Sequence, residues 1–231
     1  VAVGEFAIIF VLPLYLINAL GLSVMGAGLV LAAMAIGAFF SGASARHLAA
    51  RFGSPGTVLI GLALELVGVL ALVLLITGST PGWLVAIPLV VYGVGLGLAS
   101  AQLTGTVLRD VPVGVSGQAS ATQSTVRQIG SALGTAFAGA ALSVSLALTL
   151  PSALTGAGIT GTAADELAAS TRQSAGTVIA QLRGEGSSAV AVDALAQGFA
   201  DATRWSLIVA SVFLLLGVVG AARLRRFAER S

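Results

Sequence analysis

Six long apolar runs alternate with polar connections along the chain, which has 231 residues. The runs approach or exceed the roughly 20 apolar residues that a helix needs to cross a bilayer. The pattern therefore predicts an all-α, polytopic membrane protein built as a six-transmembrane-helix bundle. The predicted spans cover residues about 1–20, 25–45, 57–77, 83–108, 117–150 and 204–222.

The fifth apolar run differs from the others because its beginning is polar. Residues 117–128 are rich in Ser, Thr and Gln, whereas residues 129–150 are apolar. A continuous helix over this run would be roughly 50 Å long at 1.5 Å per residue, which is more than one bilayer requires. We therefore expect its polar first turns to lie in the membrane interface or to line a water-filled cavity.

One connection is much longer than the others. Residues 151–203 are polar and rich in small residues, and most of their charges are acidic. We expect short helical segments here, one of them around residues 163–182, and a helix from about residue 190 into the last span. A basic tail, residues 223–231, follows that span.

The arginines of the connections predict the orientation, because short positively charged connections stay in the cytoplasm. Arg46 and Arg51, then Arg109, then the tail 223–231 fall on one side of the alternating spans. The acidic connection 151–203 falls on the other side. We therefore expect both ends of the chain to be cytoplasmic and residues 151–203 to be an extracytoplasmic loop, in a multi-pass protein of the bacterial cell membrane.

The composition excludes a water-soluble domain. Hydrophobic residues make up 57% of the chain and charged residues only 9%, whereas a soluble domain has about 25% charged residues. At a mean hydropathy of +1.03, the apolar excess has to face the lipid bilayer. The few basic residues lie beside predicted spans, so they indicate orientation, and no nucleic-acid partner is expected.

Catalytic chemistry has little support in the sequence. The chain has no Cys and one His, His47, in an arginine-flanked connection. It also lacks a Ser-His-Asp set, a HExxH metal motif and a nucleotide-binding loop. We therefore expect no enzyme activity, no cofactor and no metal site. The chain begins with Val1 inside an apolar run, and we expect it to be part of a longer protein whose N-terminal portion is missing.

Polar groups inside predicted spans are the candidate functional residues, because they are costly in lipid unless they face a pathway or another helix. Glu5 and Glu65 are possible proton carriers. Glu65 lies near the centre of its span, so it is protonated, paired or exposed to water. The pair Arg127-Gln128 marks the point where the fifth helix turns apolar, and Arg127 either serves a cavity or extends to the lipid headgroups.

Glycines spaced four residues apart predict close helix packing. Gly93 with Gly97, and Gly130 with Gly134, lie inside predicted spans. In lipid, small residues at this spacing let two helices approach closely, and such packing replaces the hydrophobic effect as the main force between helices.

Three stretches of the chain resemble the major facilitator superfamily, and within it the fourteen-span drug:proton antiporters. The sequence LPLYL at residues 12–16 is similar to the first span of that family's C-terminal bundle. Residues 42–53 look like a degenerate second copy of the superfamily's Gly-x-Leu-Ala-Asp-Arg-x-Gly loop, with Ala50 in place of the acid. The sequence RQIGSALG at residues 127–134 is similar to the family's penultimate span.

The resemblance implies a fold in which the first, second, fourth and fifth helices line a central cavity and the third and sixth are peripheral. This favours six residues as candidates for substrate or coupling contacts and places Glu65 on a peripheral helix. The six candidates are Tyr15, Asn18, Gln102, Gln123, Arg127 and Gln128.

The resemblance also implies a mechanism, which is proton-coupled efflux of amphipathic drugs by alternating access of two bundles. The expected partners are a small-molecule substrate, protons, the lipid bilayer and the missing N-terminal half of the same transporter. Two alternatives stay open. One is a metabolite importer or facilitator of the same fold, and the other is a non-transporting six-span scaffold or accessory subunit.

Overall fold

The computed structural model describes residues 2–108 and 111–228, and every regular element in these residues is helical. The all-α membrane fold predicted from the sequence is confirmed. Arg109 and the end of the basic tail, 229–231, lie outside the described residues. The elements are α1 (Ala2–Leu14), a π-helical turn (Tyr15–Ala19), α2 (Val24–Leu75), α3 (Gly82–Leu108), a 3-10 turn (Val113–Val115), α4 (Ser116–Gly156), α5 (Thr162–Gln173), α6 (Thr177–Gly184) and α7 (Ala189–Ala228).

Among the described residues, five helices are long and apolar enough to cross a membrane, and two of the predicted spans fall on one of them, α2. Its 52 residues would extend roughly 80 Å if straight, far beyond the bilayer core. The helix is broken at Gly53, whose φ of 72° and ψ of 162° are not helical. Glycine adopts positive φ without strain. The break divides α2 into a first arm, residues 24–52, and a second arm, residues 54–75.

Helix α3 packs against both arms of α2, and its glycines permit the close approach. Gly93 and Gly97 face the first arm, where a Cβ on Gly93 would lie 2.9 Å from the Cα of Met34. Gly95 faces the second arm, where a Cβ would lie 2.6 Å from the amide nitrogen of Glu65. These distances leave no room for a larger side chain, so the packing role predicted for this glycine run is confirmed.

Helices α1, α4 and α7 form a second packed group, and α7 also contacts α2. A Cβ on Gly134 would lie 2.9 Å from the Cα of Val3, and one on Gly130 would lie 2.9 Å from the Cβ of Ala2. The predicted close approach at these two glycines is therefore confirmed, and the partner is the start of α1. Helices α3 and α4 touch only sparsely, which leaves a space between the two groups.

The long connection is mostly helical. Helix α4 continues to Gly156, and α7 begins at Ala189, close to residue 190, at which the sequence predicts a helix into the last span. Between them, α5 and α6 contact the ends of α4, α7 and the π-helical turn. Ile179 of α6 is fully buried in the main hydrophobic core. We call α5, α6 and their connections the cap.

Candidate functional site

A cavity of about 320 Å³ lies between α1, the second arm of α2, α3 and α4. It is found at the end of the bundle that carries Gly53 and the start of α4, away from the cap. Most of its wall is apolar. The polar residues among those that line it are Glu5, Glu65, Ser100, Gln123 and Arg127.

Glu5 and Arg127 form an ion pair in this wall. The Arg127 Nη2 donates to the Glu5 Oε1 at 3.3 Å and connects α4 to the first turn of α1. The Glu5 side chain is only 9% exposed, whereas that of Arg127 is 53% exposed. Because a buried charge is costly unless it is paired, the guanidinium offsets part of the cost of a negative charge on Glu5.

Glu65 is the second carboxylate of the cavity, and its environment is different. The residue is fully buried, and neither carboxylate oxygen has a hydrogen-bond partner in the part of the chain that the structure describes. The hydroxyl of Tyr92, on α3, is also buried without such a partner among the described residues. Two buried polar groups without partners therefore lie in the interface of α2 and α3.

The structure brings together four of the residues singled out from the sequence. Gln123 and Arg127 share the cavity with both possible proton carriers, Glu5 and Glu65. The second arm of α2, which the resemblance assigns to the periphery, contributes three residues to the wall. None of the described residues of the first arm lines it.

Tyr15 and Asn18 lie in the π-helical turn that follows α1, away from this cavity. The Tyr15 hydroxyl donates to the carbonyl of Thr77 at 2.7 Å. The Asn18 amide donates to the carbonyl of Ala175, in the cap, at 2.9 Å. Both side chains are buried, and they connect the end of α1 to other elements. Their predicted role at a substrate site stays a prediction.

Gln102 and Gln128 do not line the cavity. Gln102 is half-buried on α3, and Gln128 is exposed on α4, next to the cavity residue Arg127. Their predicted role in substrate or coupling contacts also stays a prediction.

The sequence did not indicate that Ser100 lines the cavity, nor did it indicate the hydrogen bonds at the cap end of the bundle. Arg183 of the cap donates to the carbonyl of Ala19 at 2.9 Å. Gln197 accepts a hydrogen bond from the amide of Gly78 at 2.9 Å. Ser100 lies two residues before Gln102 and gives a weak sequence signal. The hydrogen-bonded pairs at the cap end join distant parts of the chain, so they leave no local sequence signal.

The family model described as Major Facilitator Superfamily matches residues 1–135, which include every polar residue of the cavity. The chain is 31% identical over 137 residues to the multidrug efflux pump LfrA of Mycolicibacterium smegmatis. This match covers 59% of the chain and 27% of that protein. It is 30% identical over 133 residues to the riboflavin transporter RibZ of Clostridioides difficile, covering 58% of the chain and 29% of that protein. The matched region thus spans less than a third of either relative.

Proposed function

The chain belongs to the Major Facilitator Superfamily, and from that premise we propose that it is the C-terminal bundle of a proton-coupled efflux transporter. It exports amphipathic, often cationic compounds from the bacterial cytoplasm by alternating access. In such transporters two bundles rock against each other, so that a binding site near the middle of the membrane opens alternately to each side. The end of the bundle that carries the cavity faces the cytoplasm in this proposal, and so do both ends of the chain.

The observation that carries the proposal is the Glu5–Arg127 pair in the wall of the cavity. A proton on Glu5 removes the negative charge that holds Arg127, so protonation breaks the ion pair between α1 and α4. A cationic substrate competes with the proton, because it pairs with the ionised Glu5 carboxylate in place of the guanidinium. Proton entry down its electrochemical gradient drives export, and the membrane potential adds about 2.3 kcal/mol per 100 mV for each net charge that moves inward.

The shape and chemistry of the cavity support an amphipathic substrate. Small-molecule sites are usually apolar pockets of about 300–1,000 Å³ with a few placed polar groups. The cavity, at about 320 Å³, fits the lower end of this range. Gln123 and Ser100 add neutral hydrogen-bonding groups next to the two carboxylates.

A second bundle would complete the site. Large apolar side chains on the first arm of α2 and on α4 are exposed in the isolated chain, among them Phe39 at 73%, Phe40 at 66%, Ile129 at 56% and Phe137 at 50%. In a bilayer such surfaces are covered by lipid or by another bundle. Because both relatives are several times longer than the matched region, we assign the missing N-terminal half as the partner.

A second candidate function is import of a neutral metabolite. Its support is the similarity to a riboflavin transporter, which is almost as strong as the similarity to the efflux pump. The Glu5–Arg127 pair favours export of cations, because a neutral ring system has no charge to exchange for the guanidinium.

The test is expression of the complete gene product in a bacterial host that lacks its own efflux pumps. We expect increased tolerance to lipophilic cations such as ethidium, and loss of that tolerance when an uncoupler dissipates the proton gradient. A parallel culture of a riboflavin auxotroph measures growth on low external riboflavin. If tolerance to a broad panel of cations is unchanged and the auxotroph grows, the protein imports a metabolite and does not export cations.

A further inference from the structure

We propose that Glu65 is a separate proton-binding site, set in the interface of α2 and α3 and opening onto the cavity. The idea rests on the proposed function in one respect, which is that the proton is the coupling ion. It adds a second carboxylate, on a helix expected to be peripheral, to the Glu5–Arg127 pair.

The first support is the lack of any partner for the carboxylate. Glu65 is fully buried, and both oxygens lack hydrogen-bond partners among the described residues. An ionised carboxylate in an apolar interior is strongly unfavourable unless it is paired, and it takes up a proton instead. The residue nevertheless lines the cavity, so the buried carboxyl group lies beside the space that would supply and receive its proton.

The second support is the charge of the surroundings. On α1 the facing titratable group is Glu5, which repels a second negative charge, and on α4 it is Arg127, which Glu5 already engages. Helix α3 offers the neutral hydroxyl of Tyr92. Helix α7 also packs against α2, and there the Arg204 guanidinium donates to the carbonyl of Val73, two turns beyond Glu65. No described cation is therefore available to neutralise Glu65.

The third support is the close packing of α2 and α3 around Glu65, which favours a proton over a metal cation as the bound ion. A Cβ on Gly95 would lie 3.0 Å from the Cγ of Glu65, and one on Gly61 would lie 2.7 Å from the amide nitrogen of Ala99. Hard cations require several oxygen ligands around them, typically six or more for Ca²⁺ and Mg²⁺. The described part of the chain also has no cluster of three metal-ligating side chains. A proton needs no such shell, and the interface has room for it.

The site links proton release to the ion pair. When a cationic substrate takes the place of Arg127 at Glu5, the freed guanidinium lines the same cavity as Glu65. A nearby positive charge favours the ionised carboxylate, so the proton of Glu65 leaves into the cavity. One arginine thereby serves two carboxylates in turn.

Infrared spectroscopy of the complete transporter, purified in detergent, tests the site directly. A protonated carboxylic acid has a carbonyl stretching band separate from that of a carboxylate. We expect such a band near neutral pH, its loss in Glu65→Gln, and its retention in the matched control Glu166→Gln, since Glu166 is an exposed residue of the cap. Replacing sodium by choline in the buffer should leave the band unchanged.

A band that is identical in Glu65→Gln and in the unmodified protein would overturn the proposal. A band that responds to sodium would also overturn it, because the occupant would then be a metal cation. Glu65→Asp covers the case in which the amide variant fails to fold, and there we expect a shifted band; an unshifted one counts against the site. The measurement needs no substrate, so a transporter that exports no cations but shows the Glu65 band refutes the proposed function and leaves the site standing.

Discussion

The guanidinium of Arg127 lies 3.3 Å from the carboxylate of Glu5, and the two residues are 122 positions apart in the chain. This pair connects the start of α1 to the polar beginning of α4. It lies in the wall of the cavity, while the π-helical turn that follows α1 is bonded to the cap through Asn18. The segment from Glu5 to Asn18 therefore links the wall of the cavity to the cap.

Removing the guanidinium should abolish most of the transport. Arg127→Ala leaves the buried Glu5 unpaired, and we expect at least a roughly tenfold lower export rate, the equivalent of about 1.4 kcal/mol. Insertion into the membrane should be unchanged, because Arg127 is half-exposed. Arg172→Ala, at an exposed arginine of the cap, is the matched control. Fluorescent-cation efflux from cells with equal expression measures both; full activity of Arg127→Ala would remove Arg127 from the mechanism.

The two members of the ion pair should show coupled effects on stability. Arg127→Gln leaves a buried carboxylate without its counter-charge, whereas Glu5→Gln removes that charge altogether. We expect the double variant Glu5→Gln/Arg127→Gln to lose less stability than the sum of the single variants, by about 1 kcal/mol or more. Thermal unfolding of the complete protein in detergent gives the stabilities of the unmodified protein, the two single variants and the double variant. Simple additivity of the two changes would mean that the pair contributes nothing.

Sequence patterns predicted the helices but not which of their faces would meet. The apolar runs are sufficient for the helices because a chain in lipid has to satisfy its backbone hydrogen bonds internally. The position of Glu65 on the cavity wall depends on the rotation of the second arm, which the glycines of α3 set by packing. The hydrogen bond from Asn18 to Ala175 spans 157 residues, and no local pattern encodes such a contact. This is why Glu5 and Asn18, both polar residues of the first predicted span, are found at opposite ends of the bundle.

Asn18 gives a direct test between a structural role and a substrate role. Asn18→Ala removes the hydrogen bond to the cap, and we expect a loss of about 1 kcal/mol of stability. The affinity for a lipophilic cation should not change, because Asn18 is far from the cavity. Thermal unfolding and equilibrium binding of ethidium to the purified protein separate the two effects. A weaker affinity at unchanged stability would favour the cavity role predicted from the sequence.

The tight interface between α3 and the second arm of α2 should be disrupted by a single methyl group. A Cβ on Gly95 would lie 2.6 Å from the amide nitrogen of Glu65, and neither backbone can give way without moving a whole helix. We expect Gly95→Ala to lower the free energy of unfolding by about 1–3 kcal/mol, as overpacking usually does.

Gly105→Ala on the same helix is the matched control, since nothing lies within 4 Å of its new Cβ. It should be neutral or slightly stabilising, because alanine favours helix more than glycine does by about 1 kcal/mol. Thermal unfolding of both variants in detergent makes the comparison, and equal stability of the two would show that the glycine does not determine how closely these helices pack.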